Sequence, residues 1–376
     1  MKKLLSAALF SAILISSLFC APKSPVMEPI QIQAVEDQGE INKFIVDPRI
    51  ELVGMVCRLA EIQGFMLNYT GDNAFLSQMD TLFAKYKEHK IVKTAKSLNK
   101  KGIDSSAMIS LAYHIKPDFS GTIIDFSPFP ETLYFAWKKI GTKAIYDFVK
   151  QLHDFAVESN FQRIYTLNNG SYIYNVGNMK KDIEKVKIAQ WTEEFFNTND
   201  FEKPVITVSA ICAGGNYYDF VVGSDGKRLA YFTTYPGTSY INFENCYINF
   251  FTQIYATNNW DAVKENYIKY NMDYVKKYNP SAIEEAKKLE ITDYDLAILM
   301  GTYCYLAFLK QKGPELENHP SFEEIFGALE KKLGDPNILK AAALIDEYSA
   351  ARDKYPTFND FAPRLNEFIN TIAIEE

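Results

Sequence analysis

Apolar residues recur every three or four positions over most of the chain, which is the spacing of amphipathic α-helices. The first helix is predicted to begin sharply, because Asp47 can cap it and Pro48 suits its first turn. The same spacing predicts core-facing positions in the N-terminal helices: Ile50, Val53, Val56, Leu59 and Ala60 in the first, and Phe75, Met79, Leu82, Phe83 and Tyr86 in the second. A later helix contains Trp137 and Ile140 and breaks at Gly141, after which Ile145, Phe148, Val149, Leu152 and Phe155 continue the pattern. Two further helices are predicted over 107–115 and 181–196.

The pattern changes in the middle of the chain. Residues 205–211 form a β-branched run, and two further strand patterns, 216–222 and 228–233, flank Gly223-Ser224-Asp225-Gly226, whose Asp-Gly pair favours a tight hairpin turn. From Tyr240 onward the spacing is helical again. The sequence therefore predicts an α+β fold that is mostly α-helical, with two lobes around a small central antiparallel sheet.

The N-terminus has the composition of an export signal. Lys2 and Lys3 precede an apolar stretch over 4–19, and Cys20 follows where a bacterial lipoprotein carries its acylated cysteine, although Phe19 occupies a position that normally holds a small residue. Lipidation at Cys20, plain secretion and an uncleaved membrane anchor are the three interpretations. We expect a signal peptide over 1–20 and an exported protein, either a cell-envelope lipoprotein or a periplasmic or secreted protein.

Composition narrows the classes of partner. The chain has 40 basic and 47 acidic residues, a net charge of −7, which argues against binding nucleic acid through its phosphates. Four cysteines besides Cys20 lie far apart in apolar surroundings and form no C-x-x-C pair. They are interpreted as buried free thiols, or as including one disulfide whose pairing the sequence does not specify. These cysteines are Cys57, Cys212, Cys246 and Cys304.

Several segments, in this order, resemble an uncharacterised bacterial family of exported proteins with a domain of unknown function that looks like gluzincin-type zinc metallopeptidases. The matching stretches are Val46-Asp47-Pro48-Arg49-Ile50-Glu51-Leu52, Tyr86-Lys87-Glu88-His89-Lys90-Ile91-Val92, Phe155-Ala156-Val157-Glu158-Ser159-Asn160-Phe161, Gly214-Gly215-Asn216-Tyr217, and finally Glu347, Tyr348, Arg352, Tyr355, Pro356, Phe358 and Phe361. Residues 21–46 contain Pro22, Pro25 and Pro29, then polar residues, and are interpreted as a tether and an entry strand. The resemblance implies one gluzincin-like domain over 47–376. This domain would comprise a helical lobe (47–200), a sheet with a motif helix (201–257) and a second helical lobe (258–376).

In that family the helix after the hairpin carries H-E-x-x-H, whose two histidines bind zinc while the glutamate activates the metal-bound water. When Glu244 is set on the motif's glutamate, Phe243 and Tyr247 fall on the two histidines. A phenylalanine has no lone pair, and a tyrosine without a metal stays a neutral phenol near pH 7. The two ligand positions are therefore degenerate.

The third gluzincin ligand is a carboxylate on a later helix. The candidate helix here, 297–309, contains no acid, and Asp293 and Asp295 lie just before it. The resemblance thus implies zinc for the family, whereas no cofactor and no metal are expected for this chain. The four histidines, His89, His114, His153 and His319, are scattered singly and are interpreted as structural, with His89 and His114 at helix ends.

Glu244 has two interpretations. It could act as a general base on a groove-facing helix. Without a metal ion to lower the pKa of the attacking water, however, peptide hydrolysis loses the main contribution to its rate. The alternative is a structural carboxylate that is paired to a nearby base.

The segment Gly214-Gly215-Asn216-Tyr217 also has two interpretations. As part of an edge strand it could bind an extended substrate through its backbone, and the glycines would let a peptide approach closely. As a turn or bulge it would need its glycines only for a positive φ.

The leading functional hypothesis is a non-catalytic exported protein that retains a metallopeptidase-like scaffold as a groove for a peptide, a protein or a glycan. One alternative is an active metal-dependent hydrolase with unusual ligands such as Glu244, Tyr247 and Asp293 or Asp295. The other is a structural or interaction protein of the cell envelope. None of these binds nucleic acid, and each would contact a membrane only through a lipid anchor at Cys20.

Overall fold

A computed structural model of the chain describes residues 33–35, 43–66, 74–127, 129, 133, 136–185, 188–197, 205–212, 215–222, 228–236, 240–255, 276, 293–315, 321–333 and 338–371. These residues include five strands: β1 (Gln33–Val35), β2 (Lys43–Val46), β3 (Val205–Val208), β4 (Tyr217–Val222) and β5 (Arg228–Thr234). The helices before β3 are α1 (Pro48–Leu59), α2 (Ala74–Phe83), α3 (Lys90–Lys100), α4 (Ser105–Tyr113), α5 (Ala136–Ile140), α6 (Thr142–Glu158), α7 (Phe161–Leu167), α8 (Asn169–Lys185) and α9 (Ile188–Phe196). Those after β5 are α10 (Tyr240–Tyr255), α11 (Asp293–Lys312), α12 (Phe322–Leu333), α13 (Ile338–Ala350) and α14 (Phe358–Thr371).

The predicted α+β class with a helical majority is confirmed, but the prediction of an antiparallel sheet is wrong. The five strands form one mixed sheet in the order β1-β2-β3-β5-β4. β2 runs parallel to β3, and β3 runs parallel to β5, while β1 and β4 pair antiparallel at the two edges. The parallel pairing of β2 with β3 is possible because the long connection between them, which contains nine helices among the described residues, leaves room for a crossover.

The start of α1 is fixed by its own sequence. The Asp47 carboxylate accepts a hydrogen bond from the Arg49 backbone N–H at 2.9 Å, so the predicted N-cap is confirmed. Pro48 occupies the first turn, where its missing N–H costs nothing. All five predicted core positions of α1, from Ile50 to Ala60, are buried.

The sheet lies between two helical layers. On one face Tyr113 of α4 stacks on Tyr231 with ring centroids 4.5 Å apart. On the opposite face Phe232 contacts Phe243 and Phe250 of α10 at 5.3 and 6.0 Å. Further helices cover these layers, because α1 packs on α4 and α11 packs on α10. Among the described residues, no helix is long and apolar enough to cross a membrane.

Most of the predicted helical faces are buried, with two corrections. Leu82 was expected in the core but is 41% exposed, because it lies at the edge of the face that the buried residues Phe75, Leu76, Met79 and Phe83 form. The single helix expected over 181–196 is instead the end of α8 and the whole of α9. The predicted break at Gly141 is confirmed, since its φ of 91° lies in the region that favours glycine.

Gly301 controls how closely α11 approaches α10. A Cβ atom added at Gly301 would lie 2.8 Å from the Cα of Asn249, a distance that no backbone contact tolerates. Glycine therefore lets the two helices pack backbone to side chain, and its unfavourable helix propensity is offset by that contact.

We expect Gly301→Ala to destabilise the protein by about 1–3 kcal/mol or more, because the new methyl group must push the two helices apart. Gly327→Ala is a matched control, since Gly327 is an exposed position within α12 with open space beside it. That control should stabilise the protein by about 0.5–1 kcal/mol through helix propensity. Urea unfolding of both variants measures the difference, and equal effects of the two substitutions would contradict the close contact.

Candidate functional site

The two degenerate ligand positions lie in the aromatic core. Phe243 and Tyr247 face the sheet from α10, and both contact the Phe232 ring, with centroids 5.3 and 5.5 Å away. Their own rings stack at 5.5 Å, and each side chain is at most 1% exposed. These two positions of α10 are therefore filled by packed aromatic rings.

Glu244 points to a different neighbour. Its side chain is fully buried, and its Oε2 accepts a hydrogen bond from the Tyr305 hydroxyl of α11 at 3.3 Å. Burial, together with the nearby Glu244 carboxylate, raises the pKa of Tyr305 and keeps it a neutral hydrogen-bond donor. Glu244 thus lies between α10 and α11, and this contact joins it to a phenol.

Asp293 and Asp295 belong to α11 itself, which begins at Asp293 rather than after both residues. The helical rise places Asp295 about 15 Å along the axis from Tyr305, the residue that contacts Glu244. This separation does not favour a metal site that is shared by Glu244 and either aspartate. Among the residues that the structure describes, no three His, Cys, Asp or Glu side chains form a metal-binding group.

The histidines at helix ends are where the sequence predicted them. His89 caps α3, and its Nδ1 accepts a hydrogen bond from the Ile91 backbone N–H at 3.3 Å. His114 ends α4 and donates from Nδ1 to the Ser110 carbonyl at 2.9 Å. Burial lowers the pKa of His114 to about 4, so it is neutral at pH 7. His153 lies within α6, and His319 is outside the described residues.

The predicted groove segment leads into the edge strand β4. Gly214 is outside the described residues, and β4 begins at Tyr217. A Cβ atom added at Gly215 would lie 3.3 Å from the Tyr217 ring and hydroxyl, so Gly215 lies close to the first residue of β4. Asn216 accepts a hydrogen bond from the Thr234 hydroxyl at 2.7 Å, which ties the entry of β4 to the end of β5.

Tyr217 serves packing rather than an open groove. Its side chain is 8% exposed and lies against Phe65, with nearly parallel rings whose centroids are 6.5 Å apart. Its hydroxyl donates to the Gly64 carbonyl at 3.4 Å. Of the four predicted groove residues, Gly215 and Asn216 are therefore the two that the structure leaves partly accessible.

Asn216 lies beside the motif helix, next to Cys246. Burial raises the pKa of the Cys246 thiol to about 11, and a hydrogen bond to the Asn216 side chain lowers it only in part. Cys246 and Glu244 are two residues apart, so their side chains leave α10 about 200° apart around its axis. The helix thus presents Cys246 to the entry of β4 and Glu244 to α11, so the predicted general base faces away from the predicted groove.

None of the described thiols is poised for chemistry. Cys57, Cys212, Cys246 and Cys304 are all free, as the sequence led us to expect, and all but Cys246 are fully buried. Burial raises the pKa of each thiol, which leaves little thiolate at neutral pH.

The sequence missed a second buried carboxylate, Glu51 in the first turn of α1. It is fully buried, and no described group meets either of its oxygens with ordinary hydrogen-bond geometry. Burial raises the pKa of Glu51 to about 8, and the nearby hydroxyls of Ser209 and Tyr172 lower it only in part. Glu51 therefore holds a proton at neutral pH. The helical spacing of the sequence did not predict this protonation state.

Comparison of the chain with models of protein families, with curated proteins and with solved structures found no match. The likeness to gluzincin-type metallopeptidases stays an expectation from the sequence, and the chemistry of this region follows from its own residues.

We expect Tyr305→Phe to destabilise the protein by about 1–3 kcal/mol, because it removes a donor from the buried Glu244 carboxylate. Tyr174→Phe removes the same hydroxyl from a side chain that is 69% exposed, and it should change stability by less than about 0.5 kcal/mol. Urea unfolding at pH 7 compares the two variants. If both substitutions change the free energy of unfolding by the same small amount, the contact between Tyr305 and Glu244 does not contribute to stability.

Glu51 should make the protein less stable as the pH rises. Between its ordinary pKa of 4.5 and its raised value of about 8, the unfolded chain has lost the Glu51 proton while the folded chain still holds it. Unfolding then releases a proton, so stability falls with pH by at most roughly 1.4 kcal/mol per pH unit. His114 has the opposite effect between its lowered pKa of about 4 and its ordinary 6.5, because there the unfolded chain binds the extra proton.

The Glu51 effect is therefore isolated above pH 6.5. Urea unfolding between pH 6.5 and 8 should show the natural chain losing stability relative to Glu51→Gln, which has no proton to release. Glu88→Gln provides the control, since the Glu88 side chain is 87% exposed, and it should follow the natural chain. Parallel pH profiles for the natural chain and Glu51→Gln would show that Glu51 is ionised in the folded protein.

Proposed function

We propose that this chain is a non-catalytic, exported protein with a metallopeptidase-like scaffold, and that it binds an extended peptide segment along the edge strand β4. The orientation of Glu244 carries the proposal. Its carboxylate contacts Tyr305 between two helices, whereas the entry of β4 lies beside Cys246 on the other side of α10. A peptide placed along β4 would therefore not meet the general base that hydrolysis requires.

The packing of the degenerate positions also favours a non-catalytic protein. Phe243 and Tyr247 each contact Phe232, and they contribute to the core that joins α10 to the sheet. Selection for a metal site would keep lone-pair donors at these positions, and neither a benzyl group nor a neutral phenol is an adequate zinc ligand.

A strand at the edge of a sheet supports peptide binding. Among the described strands, β4 pairs with β5 on one side and is the last strand of the sheet on the other. An edge strand offers backbone N–H and C=O groups to a further strand, and the partner's alternate side chains then give specificity. The half-buried Tyr218 and Asp219 lie at successive positions of β4 and would contact those side chains.

A peptide fits this edge better than a glycan does. The repeat of donors and acceptors along β4 matches the repeat of a polypeptide backbone, which a sugar chain lacks. The export part of the proposal rests on Lys2, Lys3 and the apolar stretch over 4–19.

Selection from a display library of random extended peptides against the purified protein tests this function. We expect peptides to be enriched whose binding depends on their backbone amides. A matched ligand control is the same peptide with alternate amides N-methylated on the strand edge that would pair with β4, which keeps every side chain but removes the donors. This change should weaken binding at least tenfold, as measured by fluorescence polarisation.

Two outcomes would contradict the proposal in different ways. Binding that N-methylation leaves unchanged, or the absence of any enriched peptide, would argue against strand addition at β4. Cleavage of the selected peptides by the natural chain supplied with zinc, and its loss in Glu244→Gln, would instead support the alternative of an active metal-dependent hydrolase.

A further inference from the structure

The helices α7 and α8 are nearly continuous and share one helical register. The Asn168 backbone N–H donates to the Ile164 carbonyl at 3.2 Å, and the Tyr172 N–H donates to the Asn168 carbonyl at 3.1 Å. Positions before and after the junction can therefore be placed on common faces. One face is part of the core, and its buried side chains are Phe161, Tyr165, Tyr172, Val176 and Met179.

Exposed apolar side chains lie outside this core face, with Leu167 and Tyr174 opposite it and Ile173 about 100° round the helix from Tyr174. Leu167 is 72% exposed, Tyr174 is 69% exposed and Ile173 is 50% exposed. The other exposed large apolar residues among those described reach at most 42%, and they lie singly elsewhere. Leu167 and Tyr174 are seven positions apart, which is two helical turns, so they lie on one stripe. We call Leu167, Ile173 and Tyr174 the α7–α8 patch.

Basic residues flank the patch on the same stripe. Arg163 lies one turn before Leu167, and Lys181 lies two turns after Tyr174; both are exposed. Gly170 lies between Leu167 and Tyr174 and has open space beside it, so no side chain projects from the helix between these two apolar residues at that position. A tyrosine and aliphatic side chains with lysine or arginine at both ends are typical of a helix that lies in the headgroup region of a membrane.

The patch lies near the place where the described chain begins. α8 contacts both β1 and β2, and β1 starts at Gln33. Twelve residues lie between Cys20, the candidate lipidation site, and Gln33, and the thirteen steps from Cys20 to Gln33 span at most about 45 Å. A membrane anchor at the N-terminus would therefore keep α8 within reach of the bilayer surface.

We propose that the α7–α8 patch is a membrane-docking surface, which inserts Leu167, Ile173 and Tyr174 into the headgroup region beside the anchored N-terminus. An N-terminal anchor limits the distance of the domain from the bilayer but does not by itself fix the orientation of the domain. The patch supplies orientation, because Arg163 and Lys181 can contact anionic headgroups while the apolar side chains leave water. This inference depends on an N-terminal anchor and does not depend on peptide binding at β4.

Lipid-quenching fluorescence tests the proposal with the full chain reconstituted into vesicles of phosphatidylethanolamine and phosphatidylglycerol. Tyr174→Cys and Leu167→Cys are each labelled with an environment-sensitive nitrobenzoxadiazole dye, and the natural chain treated in the same way measures labelling of its own thiols. We expect a blue-shifted emission at both positions. We also expect several-fold stronger quenching when the acyl chains carry bromine.

Leu82→Cys is the matched control, because Leu82 is also an exposed apolar residue on a helix, at 41%, but lies outside the patch. Its dye should stay in water and show little quenching. Equal quenching at positions 174 and 82 would overturn the proposal, and so would a chain that fails to float with the vesicles. A blue shift that depends on protein concentration and not on brominated lipid would also overturn it, since it would identify a second copy of the chain as the occupant of the patch.

Discussion

The buried ion pair between Asp47 and Arg49 is the interaction on which the arrangement of the N-terminal half depends. Arg49 donates to both Asp47 carboxylate oxygens, and its remaining guanidinium N–H groups reach the carbonyls of Tyr113 and Ile115 at 3.0 and 3.1 Å. The pair therefore joins the end of β2, the start of α1 and the end of α4. Removing two charges from water is costly, and only this nearly complete set of charge-assisted hydrogen bonds offsets the cost.

The same pair explains why polar groups gather at this end of the sheet. Burial alone would lower the pKa of Arg49, but the neighbouring Asp47 outweighs that effect, so the guanidinium pKa is raised and its charge is retained. A fixed positive charge also contributes to the low pKa of His114. The short segment from Asp47 to Glu51 thus contains a buried charge pair, Asp47 with Arg49. It also contains the Glu51 carboxyl group, which is neutral at pH 7.

Local features of the sequence predicted local structure well. The Asp47 cap, the break at Gly141 and the histidines at helix ends each depend on neighbouring residues, and the structure confirms all three. The direction of β2 relative to β3 was not predictable in this way, because it depends on the path of the long connection between Val46 and Val205. Glu51 was missed for a related reason: its neutral state results from burial by distant elements, which include Tyr172 and Ser209.

The candidate site shows the same limit. The resemblance set Phe243, Glu244 and Tyr247 on one motif helix, but the rotation of that helix against its neighbours decides which of its faces meets the sheet. In the structure the aromatic face packs on Phe232, and the Glu244 side chain contacts α11. Rotational setting results from packing between elements far apart in sequence, where Gly301 is one determinant.

The pairing of Lys43 with Val205 has a consequence for how the chain folds. During synthesis β2 leaves the ribosome long before its neighbour β3 exists, and such a contact of high sequence separation forms late and slowly. The helices between them can form and pack locally in the meantime. Until β3 has been synthesised and has folded, the backbone N–H and C=O groups with which β2 pairs to β3 stay exposed. During that time they can pair with a strand of another chain.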